Sequence, residues 1–73
     1  MKARTNMRLL RENRGYTLRQ VGEWANIPFG LLSLMERGKM LPTDDELLAL
    51  CETLKSTADI IYPDEELRKV LAE

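Results

Sequence analysis

Histidine is absent from the 73 residues, and Cys51 is the only cysteine. The usual transition-metal ligands are therefore missing, and no metal site is expected. A disulfide scaffold is excluded as well, and one thiol among apolar neighbours fits a reducing compartment. Aromatic residues make up only 5% of the chain. No apolar run approaches the roughly 18 residues of a membrane helix, and no secretory leader is read at the N-terminus. The expectation is a cytoplasmic protein with no membrane contact. Catalytic groups are scarce too. No serine lies near a candidate base, Cys51 falls on the core face of its helix, and the glycines form no phosphate loop. Neither an enzyme nor a cofactor is expected.

What remains is enough for one small domain. Leu, Ile, Val and Phe account for 19 of the 73 residues, too many for a disordered chain and little for a core. The net charge of −1 conceals an asymmetry. Residues 1–42 carry eight Lys and Arg against three Glu, whereas residues 43–73 carry three against nine acids. The basic half suits a polyanionic partner. The same pattern also fits solvated helix faces with acids gathered at helix N-termini.

Punctuation divides the chain into short helices, and no alternating strand pattern competes. Met7 and Leu10 share a face of a first helix, which stops at Arg14-Gly15. Thr17-Leu18-Arg19-Gln20 has the spacing of a capping box and opens a second helix with Leu18, Val21 and Ala25 inward. Asn26 tolerates the left-handed conformation of a tight turn, and Ile27 plugs it. Pro28 opens a third helix with Leu32 and Met35 inward, and Gly38 stops it. Thr43-Asp44-Asp45-Glu46 is a second capping box, followed by the stripe Leu47, Leu50, Cys51 and Leu54. Ala58, Ile60 and Ile61 suggest a short fifth helix ending before Pro63. Asp64 can cap a last one with Leu67, Val70 and Leu71 on one face. The fold class is all-α, with a domain over 1–62 and a C-terminal helix over 63–73 for packing or dimerisation.

The pair of helices around Asn26 has the size of a helix-turn-helix. Gly22 is placed where the third helix crosses the second, a close approach that offsets its helix-propensity cost of roughly 1 kcal/mol.

Arg11-Glu-Asn-Arg-Gly-Tyr-Thr-Leu-Arg-Gln-Val-Gly22, then Ile27 to Ser33, Met35-Glu-Arg-Gly-Lys39 and Pro42, resembles the lambda-repressor-like (Cro/XRE) helix-turn-helix family. The likeness spans about Met7 to Tyr62. It implies a compact five-helix domain, here with a short extra C-terminal helix, that places its third helix in the major groove of a double-stranded DNA operator. It further implies a homodimeric transcription regulator of repressor, Cro-like or antitoxin type, in a bacterial or phage-infected cell. By the same resemblance, Arg11 and Glu36 form a structural ion pair. Thr17, Leu18 and Arg19 face a phosphate at the start of the second helix, and Arg37 and Lys39 face the backbone after the third. The base-contacting positions are Phe29, Gly30, Leu31, Ser33 and Leu34.

Here the chain departs from the family's habit. Bidentate base readout needs Arg, Lys, Asn or Gln, and none lies between Pro28 and Leu34. Pro28 also replaces the usual hydroxyl cap. Three readings stay open. The helix contacts thymine methyls and relies on DNA shape, with affinity from phosphates; or it binds a protein, such as a repressor or toxin, as an antirepressor would; or part of its apolar face is core. Leu9, Trp24, Met40 and Leu48 fall on outward faces in this register, and several such residues together form a patch unusual for a monomer. Trp24, Leu67, Val70 and Leu71 are the candidate interface residues.

Overall fold

Five helices follow one another in the computed structural model, in which residues 3–65 are described. They are α1 (Met7–Asn13), α2 (Leu18–Ala25), α3 (Phe29–Glu36), α4 (Asp44–Leu54) and α5 (Ala58–Ile61). Among the described residues there is no strand, and no helix is long and apolar enough to cross a membrane. Leu67, Val70 and Leu71 of the expected C-terminal helix lie outside the described residues.

The starts of α2 and α4 follow from their capping boxes. The Thr17 hydroxyl accepts from the Gln20 N–H at 3.1 Å, and the Gln20 side chain accepts from the Thr17 N–H at 2.8 Å. Thr43 and Glu46 repeat the arrangement at 3.2 and 2.8 Å. Each box satisfies two backbone donors that a helix N-terminus otherwise leaves open. Asp44, Asp45 and Glu46 fill the first turn of α4, where the helix dipole favours negative charge. Asn26 ends α2 at φ 57°, the left-handed conformation its residue type tolerates. Lys55 ends α4 in the same conformation, at φ 50°, a stop that the sequence does not advertise.

Met7, Val21, Ala25, Ile27, Leu32, Met35, Leu50, Leu54, Ile61 and Tyr62 form one buried cluster. All five helices and the turn between α2 and α3 contribute to it. Burial pushes the Tyr62 phenol up to about 12.

The segment before α1 is strapped across the molecule. Its Ala3 N–H donates to the Gly38 carbonyl at 2.7 Å, and the Asn6 N–H donates to the Ile61 carbonyl at 2.9 Å. The Asn6 side chain donates to the Ile60 carbonyl at 2.9 Å. Gly38 is required twice over. Its φ is +72°, and a Cβ there would overlap the backbone of Ala3.

Two local expectations change, and one cation of the basic half turns elsewhere. At Gly22 the constraint is the turn: a Cβ would stand 2.9 Å from the Ile27 carbonyl oxygen, whereas the nearest atom of α3, in the Leu32 side chain, is 3.8 Å away. Met40 is half-buried against the core instead of outward. It lies in the connection after Gly38, where helical register no longer governs direction. Arg14 does not join the basic face. Its Nε donates to the Leu54 carbonyl at 2.8 Å, which places a cation at the C-terminal end of α4. Leu9, Trp24 and Leu48 are exposed as expected, and Ile60 joins them.

Candidate nucleic-acid interface

Helix α3 lies on the surface with only Leu32 and Met35 fully inside. Phe29 and Gly30 are exposed, and Leu31, Ser33, Leu34 and Glu36 are half-buried. Leu31 packs against the core cluster, so the first turn holds the most accessible part of the helix. Pro28, at φ −54° and ψ 138°, makes no side-chain cap. Its fixed φ sets the chain direction into the helix, while the hydroxyl acceptor that opens α2 is missing here.

Cationic side chains stand at both ends of α3. At the first, the Arg19 guanidinium lies over the Phe29 ring, with Cζ 5.2 Å from the ring centroid, a cation–π geometry. Among the described residues Arg19 makes no ion pair, although Glu23 lies one turn along α2. Thr17 is exposed, and its hydroxyl is engaged by the Gln20 N–H. Leu18 is half-buried and packs against the core. With the Thr17 N–H itself bonded to the Gln20 side chain, what these two residues present at the start of α2 is the helix dipole more than side chain.

At the other end, a groove of about 550 Å³ runs between the N-terminal segment, α1 and the last turn of α3. Arg4, Arg8, Arg11, Arg37 and Lys39 line it, with Glu36 the one acid among its lining residues. Arg11 and Glu36 neutralise each other. Arg11 Nε donates to Glu36 Oε2 at 2.6 Å and its Nη2 to Oε1 at 3.2 Å, the two-bond fork typical of arginine and carboxylate. Their side chains retain only 15% and 8% exposure. A further bond from Arg11 Nη1 to the Tyr16 carbonyl at 2.9 Å ties the pair to the approach of α2. Glu36 holds the Arg11 guanidinium above its usual range. With that pair closed, Arg4, Arg8, Arg37 and Lys39 leave the groove strongly positive. Arg8 has a partner in Glu12 at 3.6 Å, an exposed pair worth little. Arg37 also donates weakly to the Ser33 carbonyl at 3.4 Å.

Arg4 and Arg8 are absent from the expected site residues. Their spacing from Arg11, at i−7 and i−3, was the available signal. Placing Arg4 beside Lys39 required the Ala3–Gly38 bond, which links distant parts of the sequence.

Trp24 is 53% exposed, and its ring meets Tyr16 edge to face at 4.8 Å between centroids. The described residues hold no cluster of His, Cys, Asp and Glu able to bind a metal. Burial, with Asp59 and Glu52 nearby, pushes the Cys51 thiol up, opposite to what a nucleophile needs.

Residues 5–59 match the family model described as a helix-turn-helix domain. Among curated proteins, the chain is 34% identical over 58 residues to the transcriptional regulator ClgR of Mycobacterium tuberculosis, in two strains. The match covers 80% of this chain and 52% of that protein, so the chain spans about half the length of the curated relatives it matches. No solved structure matches it significantly.

Proposed function

The chain belongs to the helix-turn-helix domain family, and on that premise we propose that it binds double-stranded DNA through α3 and regulates transcription. The observation that carries the proposal is the pairing of a surface-lying α3, exposed in its first turn, with cationic side chains at both of its ends. A helix flanked in this way can lie in a major groove while Arg19 reaches a phosphate near its start and Arg4, Arg8, Arg37 and Lys39 reach phosphates near its end. Thr17 and Leu18 contribute the N-terminus of α2 as a further phosphate site. The finer reading is a homodimeric repressor, Cro-like protein or antitoxin in a bacterial or phage-infected cell, with Trp24 and the segment holding Leu67, Val70 and Leu71 as interface candidates. It draws on the family resemblance, and on the relative's name for regulation.

The test is fluorescence polarisation of the chain with the duplex flanking its own gene, at about 50 and 200 mM salt. Five phosphates neutralised by Arg and Lys predict a loss of affinity on the order of several hundred-fold over that range. Arg37→Ala and Lys39→Ala each weaken binding across sequences and reduce the salt slope by about one. Absence of binding at low salt overturns the proposal.

A second reading has one observation in its favour: the outward part of α3 is apolar, with Phe29 49% exposed. A repressor or toxin subunit would use that surface in place of DNA. Phe29→Ala then abolishes a stoichiometric protein complex from the native host and leaves the fold intact.

A further inference from the structure

The surface α3 presents has little with which to make hydrogen bonds to bases. Gly30 has no side chain, Phe29 and Leu34 are apolar, and only Ser33 carries a donor before Glu36, which Arg11 occupies. The major groove nevertheless displays one apolar feature, the thymine C5-methyl group.

Phe29 is placed to meet it. Its ring is half exposed in the first turn of α3, and the Arg19 guanidinium covers one face. The contact packs a cation against the ring while Phe29 as a whole keeps about half of its surface exposed. Arg19 has no carboxylate partner among the described residues, so its donors remain available to a phosphate while its Cζ lies over the ring. The next residue, Gly30, has open space around its Cβ position, with no heavy atom within 4 Å. Nothing among the described residues calls for a glycine there. A missing side chain beside Phe29 lets the helix backbone come close to the groove floor.

Resting on the DNA reading above, we propose that Phe29, held by Arg19, reads a thymine methyl group, so that this chain selects its site by methyl contact more than by hydrogen bonding. Arg19 is a positioning residue in this scheme as well as a phosphate ligand.

The experiment starts from the 73-residue chain and a pool of random-sequence duplexes, enriched by rounds of binding. In the enriched duplex each thymine is replaced in turn by uracil, which removes the methyl and keeps every hydrogen-bonding group. At one or two positions affinity falls about fourfold per methyl lost, the scale of one buried carbon. Phe29→Ala lowers affinity for the thymine duplex and erases the difference between thymine and uracil. Phe29→Leu, an apolar replacement at a half-exposed site, retains part of it and controls for folding. Arg19→Lys keeps a cation for the phosphate but shrinks the thymine-to-uracil ratio, a readout that loss of charge alone does not move. A pool that enriches no sequence, or an enriched duplex indifferent to every uracil, overturns methyl reading and leaves DNA binding standing. If no duplex is retained even at low salt, the DNA reading itself fails, and this inference with it.

Discussion

Helices α2 and α3 are each eight residues long and cross in one motif, yet they are held by different means. The sequence of α2 supplies its own ends: a capping box at Thr17, a left-handed stop at Asn26, and an inward stripe of Val21, Gly22 and Ala25. Helix α3 has no side-chain cap, and apolar residues lie outward on it at Phe29 and Leu34 as well as inward at Leu32 and Met35. It is fastened from outside. Leu32 and Met35 anchor it in the core, Arg11 grips Glu36, and the Ala3 N–H binds the Gly38 carbonyl just beyond its end. A helix defined by its neighbours can leave its outward side chains to a ligand, because local stability does not dictate them. The contrast predicts that variants at α3's attachments act far from their own position, whereas variants in α2 act locally.

The largest effect is expected at the ion pair. Arg11→Ala strands the Glu36 carboxylate, which is almost fully covered. The loss sits at the low end of the roughly 3–5 kcal/mol seen when one partner of a buried pair is removed, since the pair lies near the surface. Urea denaturation measures it. The double variant Arg11→Met with Glu36→Leu recovers most of the loss if the trouble is an unpaired charge. If Arg11→Ala leaves the midpoint unchanged, α3 is not fastened by α1, and the contrast collapses.

The same contrast explains what could be read from the residues and what could not. Both capping boxes, the Asn26 turn, the stop at Gly38 and the inward positions of α2 through α4 depend on neighbours three or four residues apart, and all are visible in the sequence. The Arg11–Glu36 pair was visible only through the family resemblance. Arg4 and Arg8 were missed as members of the basic groove because the bonds from Ala3 to Gly38 and from Asn6 to Ile61 place them there. Arg14 counts among the eight cations of the basic half, yet it serves the end of α4. Met40 was misplaced because no helical period applies after Gly38. The contact of Arg19 with Phe29 joins two helices across a turn, and neither residue alone announces it.

Within α2, Gly22→Ala comes next. The added Cβ meets a backbone oxygen at 2.9 Å, and backbone cannot swing aside as a side-chain tip can. Overpacking of about 1–3 kcal/mol outweighs the gain of about 1 kcal/mol in helix propensity. The net loss of about 1 kcal/mol lowers the thermal midpoint by about 4–8 °C for a domain of this size. A stabilised Gly22→Ala would show that the turn relaxes freely and that α2 is less tightly specified than its contacts imply.

Thr17→Ala removes the side-chain acceptor of the first capping box while leaving the core untouched. Its cost is about 1 kcal/mol, at the middle of the range for such caps. Hydrogen exchange should localise the loss to the first amides of α2, with α3 unaffected. Spread of the loss into α3 would mean that the two helices are not specified independently.

The smallest effect has the opposite sign. Gly30 in α3 occupies open space at an ordinary backbone conformation, in contrast to Gly22. Gly30→Ala therefore gains helix propensity with nothing to overlap, about 0.5 kcal/mol near a helix end. The thermal midpoint rises slightly. If the first turn of α3 approaches DNA closely, the same methyl group lies between backbone and bases, and affinity falls while stability grows. Measuring both on one variant separates what the fold asks of this residue from what the ligand asks. A midpoint that falls refutes the claim that the position is free of internal constraint. A raised midpoint with unchanged DNA affinity places Gly30 outside the contact and pushes the reading surface toward Ser33 and Leu34.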